Sequence, residues 1–323
     1  MPISYDRLPD GPPWVRYRVM IDLLKRTETD EEAASQRKLA VDSPEIRIIL
    51  DELQQWPGTV LKSHKNASQA IHKLSFLADL GLTIDDSPMD SIVEKILRHQ
   101  SAEGPFEILM NIPTHFGGSG TERFLWMLCD APLIAYSLIR LGLGRNVQVK
   151  KSVDHLLSLV RENGWPCAAS SGAGKFRGPG SKTDPCPYAN LMMLKLLSQI
   201  PETADSREAG IGAETLLSLW DMRKEKKPYL FAMGTDFQKL KAPLVWYDIL
   251  HLLDVLSLFP HLHSDSRFQD MLELVESKKD GNGLFTAESV WQAWKGWEFC
   301  QKKQPSYWIS FLVYRILDRV HKA

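Results

Sequence analysis

Pro132-Leu133-Ile134-Ala135-Tyr136-Ser137-Leu138-Ile139 is apolar on every helical face, whereas the following segment, 147–160, is apolar on one face only. The first has the composition of a helix buried on several sides, the second that of a helix with one side in water. The couplet recurs. Tyr188-Ala189-Asn190-Leu191-Met192-Met193-Leu194 precedes the amphipathic 207–222, and Leu244-Val245-Trp246-Tyr247-Asp248-Ile249-Leu250 precedes the amphipathic 268–275. The repeat length is roughly 55–62 residues, the signature of stacked helical units. Helical periodicity extends to nearly the whole chain, and period-2 runs are scarce. It predicts helices near 14–26, 31–40, 44–55, 67–80, 88–100, 131–142, 147–162, 187–200, 207–222, 243–259, 265–278 and 306–320. The fold class is therefore all-α, with alternating inner and outer helices. Pro132, Pro187, Pro243 and Pro305 are read as start signals of inner helices, because proline fits the first helical turn.

The links are unequal. Inner-to-outer connections are short (Gly142 to Val147, Ile200 to Arg207), and outer-to-inner connections are long. Long loops inside a compact domain are uncommon and often functional. With helices alternating in direction, the long loops and the inner-helix N-termini fall on one face.

Composition sets the outer bounds. The 323 residues fit one domain spanning 1–323, with N-terminal helices in 1–55 and repeats over 60–320. Lys and Arg number 39 against 40 Asp and Glu, which argues against a general nucleic-acid binder. Four cysteines do not make a disulfide framework. No apolar run is long enough for a membrane span, and the N-terminus lacks a signal segment, so the expected location is cytoplasmic.

Small motifs follow the outer helices. Gln100-Ser101-Ala102-Glu103-Gly104-Pro105-Phe106 reads Q-x-x-x-G-x-F, Lys279-Asp280-Gly281-Asn282-Gly283-Leu284-Phe285 is a looser copy, and Arg161-Glu162-Asn163-Gly164-Trp165 a shorter one. Glycine turns the chain and the aromatic packs back between helices. With these motifs the sequence resembles the terpenoid cyclase and protein prenyltransferase superfamily, and within it a bacterial branch of prenyltransferase/squalene oxidase repeat proteins. The resemblance implies an (α/α)6 toroid around a central cavity. It also implies a hydrophobic ligand with an anionic head as the small-molecule partner. Cyclase chemistry of the D-x-D-D kind is not implied, because Thr83-Ile84-Asp85-Asp86 lacks the first Asp. The D-D-x-x-D pattern fails at Met89.

Protein prenyltransferases hold zinc through a D-x-C segment and a later His. Asp184-Pro185-Cys186 supplies the D-x-C, and His251 the nearest His after Trp246-Tyr247-Asp248. The resemblance thus implies Asp184, Cys186 and His251 as metal ligands, zinc as the cofactor, and a metal-dependent enzyme as an alternative activity. Asp248, Tyr247 and Cys186 are the candidate catalytic residues. An aspartate in an apolar helix needs a partner, and Cys186 precedes a helix start, where the helix dipole favours thiolate. Cys129 and Cys167 occupy similar loop positions. Trp165, Trp246 and Trp308 are candidate ligand-binding aromatics, and His64 a candidate ligand or base. Lys175 and Arg177 lie in a basic loop, and 223–242 carries six Lys and Arg against two acids. Basic loops beside helix N-termini attract anions. The remaining alternative is a non-enzymatic α-helical scaffold of HEAT type, suggested by 15–24.

Overall fold

Each predicted helical segment forms a helix, and the chain is mostly helical. The computed structural model describes residues 8–176, 178, 180–225 and 231–322. In chain order the elements are α1 (Pro13–Arg18), α2 (Glu31–Val41), α3 (Pro44–Leu53), α4 (Ala70–Leu80), α5 (Met89–Leu97), β1 (Ile108–Asn111), β2 (Glu122–Leu125), α6 (Ala131–Leu138), α7 (Val147–Ser158), α8 (Pro187–Leu197), α9 (Pro201–Ala204), α10 (Arg207–Asp221), α11 (Ile249–Leu256), α12 (Ser266–Glu276), β3 (Phe285–Thr286), β4 (Pro305–Ser306) and α13 (Tyr307–Lys322). No described helix is long and apolar enough to cross a membrane. The backbone divides into two compact units. One comprises Met1–Ile49 with Gly234–Ala323, the other Leu50–Met233, and the division falls inside α3.

In the second unit, α6 packs between α4 and α8, with α7 against α6 and α10 against α8. Every residue of α6 and of α8 is buried, as the all-round apolar pattern requires. By contrast α7 buries only Val149, Ser152, Val153 and Leu156, one stripe of an outer helix. The α8–α10 approach depends on Gly212, where an added Cβ would come within 2.8 Å of the Trp165 ring. The repeat motif has a clear job. Gln100 Nε2 donates to the Gly104 carbonyl and to the Gln148 carbonyl, both at 2.7 Å, so it closes its own turn and ties it to the first turn of α7. Phe106 is fully buried behind it. Gly104 has φ +125°, a conformation glycine adopts without strain.

In the first unit, α1 packs on α2, and α11 on α12 and α13. Its polar core is an ion network. Asp254 is 5% exposed and accepts from Arg315 Nε (3.1 Å), Arg315 Nη2 (2.8 Å) and Arg319 Nη1 (3.1 Å). Arg319 Nη1 also reaches the Asp254 carbonyl and Ser257 Oγ. Asp22 receives Arg18 at 2.6 Å and lies 3.7 Å from Arg315.

Two start signals differ from the sequence reading. Pro132 and Pro187 do lie in the first turns of α6 and α8. Pro243, however, precedes α11 by six residues, because Asp248 is the true N-cap and accepts the His251 N–H. Pro305 lies in a two-residue strand paired with Thr286. There α13 begins only after Ser306, whose Oγ accepts the Ile309 N–H, while Glu298 accepts the N–H groups of Tyr307 and Trp308. Two of the long loops contain the antiparallel pairs β1–β2 and β3–β4. Their strands are too short to show a period.

Candidate functional site

A three-ply backbone patch in the second unit brings together cysteines that are far apart in sequence. Segment 126–129 pairs with 168–170 through Leu128 N–H to Ala168 O and Ser170 N–H to Trp126 O, both 2.9 Å. The same strip pairs on its other side with the chain entering α8, through a Pro166–Pro185 bridge and Cys186 N–H to Trp165 O at 2.8 Å. Asn190, fully buried on α8, locks the register. Its Oδ1 accepts the Trp165 N–H, and its Nδ2 donates to the carbonyls of Trp165 and Cys186. Cys129, Cys167 and Cys186 therefore converge.

The sulfurs are not equivalent. Cys129 Sγ lies 3.9 Å from Cys186 Sγ. The neighbouring thiols of Cys129 and Cys167, the Ala189 N–H and the field of His64 together outweigh burial and hold Cys186 well below the ordinary thiol range. Cys129 is pushed up by its hydrogen bonds to the other two sulfurs and by burial. Cys167 is pushed up to about 12: the neighbouring Cys129 favours its thiolate, but the neighbouring Cys186 and burial outweigh that. Of the three sulfurs, Cys186 is therefore the one whose thiolate form is favoured. Its place as N-cap of α8 adds the favourable end of the helix dipole.

His64 stands beside it. Its Nδ1 is bonded to Asp130 Oδ1 at 2.8 Å. Asp130 occupies the N-cap position of α6, yet its side chain makes no capping bond there. Its carboxylate is turned to His64 instead, and Oδ2, buried, has no hydrogen-bond partner among the described residues. Burial alone would lower the His64 pKa. The charge and hydrogen bond of Asp130, with the Cys186 sulfur, outweigh burial and raise it. His72 Nε2 lies 3.0 Å from the His64 carbonyl and fixes the loop that carries His64. Burial drives His72 down to about 4, so it is neutral and donates that bond. Cys129 and Cys186 are buried. Cys167 is half-buried and the His64 side chain 24% exposed, so these two form the approach to the cluster.

Folded-state protonation of His64 has a measurable signature. Because its pKa is raised, the His64–Asp130 bond contributes stability fully below about pH 6.5, the ordinary histidine value, and loses it as pH rises through the folded value. The stability difference between the native chain and His64→Gln, followed by urea unfolding, is expected to shrink from about pH 5.5, below the ordinary histidine value, towards about pH 9. A difference that is flat or grows with pH would contradict the assignment.

The other expected site residues lie as follows. Trp165 is fully buried, and its Nε1 donates to the Leu156 carbonyl. Lys175 is exposed, Arg177 lies outside the described residues, and Asp184 is half-buried with its N–H on the Ser181 carbonyl. In the first unit, Trp246 is half-buried and its carbonyl accepts from His251 Nδ1 at 2.9 Å. His251 is fully buried. Tyr247 packs on Phe237 with ring centroids 5.2 Å apart. Trp308 stacks on Phe311. Asp248 is fully buried; desolvation raises its pKa to about 7 against the opposing pull of Lys241. Its Oδ2 has no hydrogen-bond partner among the described residues. Among the described residues no group of three or more His, Cys, Asp or Glu is arranged to hold a metal ion. The implied set of Asp184, Cys186 and His251 is thus not such a group.

Sequence reading missed Asp130, His72 and Asn190. The available signal was polarity inside apolar helices, where a buried polar side chain needs a partner. Asp130 was hidden because Asp before Ala-Pro looks like an ordinary cap.

No protein-family model matches the chain. No curated protein matches it either. A solved structure described as a protein from Actinoplanes is similar, with 12% identity over 96% of this chain and 89% of that one, at a TM-score of 0.42.

Proposed function

We propose that the second unit carries out cysteine-dependent group transfer, with Cys186 as nucleophile and His64 as its acid–base partner. The observation that supports this is the arrangement around one sulfur: the Cys129 thiol 3.9 Å away, a place at the N-cap of α8, and an imidazole fixed by a buried carboxylate. Cys186 sulfur forms a bond to an electrophilic carbon of the substrate. The leaving group departs with the bonding electron pair and takes a proton from the Nε2 edge of His64. Asp130 holds the opposite edge and balances the imidazolium charge. Brief treatment of the full-length protein with iodoacetamide at neutral pH, followed by peptide mass analysis, tests it. Cys186 should be alkylated first although it is buried, and His64→Gln should slow this. Prior labelling of the half-buried Cys167 and Cys300, with Cys186 untouched, would refute it.

A second reading rests on the first unit. Asp248 is a fully buried carboxyl whose proton is held up to about neutrality, with an oxygen free of hydrogen bonds among the described residues and Lys241 close by. That arrangement suits an apolar ligand with an anionic head. Kinship with the terpenoid cyclase and prenyltransferase superfamily, closure of the helix pairs into an (α/α)6 toroid and a cytoplasmic location belong to this reading. Its supports are the inner–outer alternation, the Gln100 motif and four free thiols, which a reducing compartment preserves. Binding of prenyl diphosphates, measured by calorimetry, tests the ligand. No heat from any member of the series would remove it.

A further inference from the structure

We infer that the three-thiol cluster is also a site of hydroperoxide reduction, in which Cys186 is oxidised first and Cys129 closes a disulfide with it. The inference rests on the reading of Cys186 as the reactive sulfur, and it adds a second substrate class and a second cysteine. The geometry supplies the reasons. Cys129 and Cys186 are 3.9 Å apart, and a disulfide needs about 2.05 Å, so the sulfurs must approach by about 2 Å, which side-chain rotation can provide. Both backbones are tied to the same strip, 165–170, so neither segment has to travel. Cys186 is 2% exposed and Cys129 5%, which admits a small oxidant and screens out proteins and glutathione-sized disulfides.

The chemistry balances without another reagent. Cys186 sulfur attacks the outer peroxide oxygen; the S–O bond forms, the O–O bond breaks, and the departing alkoxide or hydroxide takes a proton from His64. Cys129 sulfur then attacks Cys186 sulfur; the S–S bond forms, the S–O bond breaks, and water leaves with the proton of the Cys129 thiol. Two thiols give two electrons, and the hydroperoxide becomes an alcohol and water. Cys167, which interacts electrostatically with both sulfurs and is half-buried, is the third thiol, placed to exchange with the new disulfide and to hand it to an external reducing thiol.

The test uses the full-length protein, hydrogen peroxide, an alkylating quench and peptide mass mapping. The expected product is a Cys129–Cys186 linked peptide pair, two hydrogens lighter than its parts. In Cys129→Ser the oxidation should stop at a sulfenic acid on Cys186, trapped by a cyclic dione. Cys186→Ser should give neither. Oxidation confined to Cys167 or Cys300, or zinc held by the three sulfurs in the purified protein, would overturn the inference. If Cys186 is alkylated by iodoacetamide yet never links to Cys129, the inference fails while the group-transfer reading stands. If Cys186 resists both reagents, both fail.

Discussion

Replacing Asp254 by alanine is expected to lower the unfolding free energy by about 3–5 kcal/mol, the usual cost of removing one partner from a buried ion pair. Asp254 Oδ1 accepts from Arg315 twice and from Arg319 once, and these contacts lie in the interior of the first unit. Burial already presses the Arg319 pKa down, against the supporting charge of Asp254. Alanine would leave the Arg315 and Arg319 guanidinium groups without their shared carboxylate, with Asp22 3.7 Å from Arg315. Asp254→Asn keeps an oxygen acceptor and loses only the charge, so it should fall between alanine and the native residue. Urea unfolding of the three proteins gives the order directly. A loss below about 1 kcal/mol for alanine would place the network in the class of exposed, weakly contributing pairs.

Replacing Asn190 should act on stability and chemistry together. Asn190→Ala removes three hydrogen bonds: one from the Trp165 N–H and two to the carbonyls of Trp165 and Cys186. The carbonyls each keep a partner, the Cys186 N–H on Trp165 and the Asn190 N–H on Cys186. The Trp165 N–H keeps none. One buried unpaired donor plus the space left by the amide costs about 2–4 kcal/mol. The strip holding Cys167 then loses its register on the start of α8, so alkylation of Cys186 should slow at least as much as in His64→Gln. Asn190→Asp should be worse than alanine at neutral pH, since it sets a carboxylate against two carbonyl oxygens, and should recover partly in acid. Unfolding curves and Cys186 labelling rates on the same samples check both halves. Normal labelling in a destabilised Asn190→Ala protein would separate the clamp from the reactivity.

The helices were legible because their signal is local. A segment apolar on all sides, such as 132–139, can only be an inner helix, and a striped one, such as 147–160, an outer one. The start of α11 was misread because Pro243 imitates a cap that Asp248 actually provides. The candidate site was legible residue by residue, not as a set. Cys186, Cys129, Cys167 and His64 each stand out in the sequence at loop or helix-start positions. Their meeting depends on pairing between loops that have no periodic pattern, and on Asn190, whose polar side chain looks out of place in an apolar helix until its three partners are known. Asp130 is the clearest case of a side chain diverted from local to tertiary use: it sits where a cap belongs and bonds to a histidine 66 residues away.

That separation has a kinetic meaning. His64 and Asp130 are 66 residues apart, and Cys129 and Cys186 are 57 apart. Loops of this length close late, after local helices have formed. The depressed thiol of Cys186 therefore exists only once α4, α6 and α8 have docked, and an unfolded or half-folded chain carries four ordinary cysteines. Thiolate absorbance in a refolding experiment would time the assembly of this unit. A newly made chain is correspondingly unreactive until α8 has joined α4 and α6.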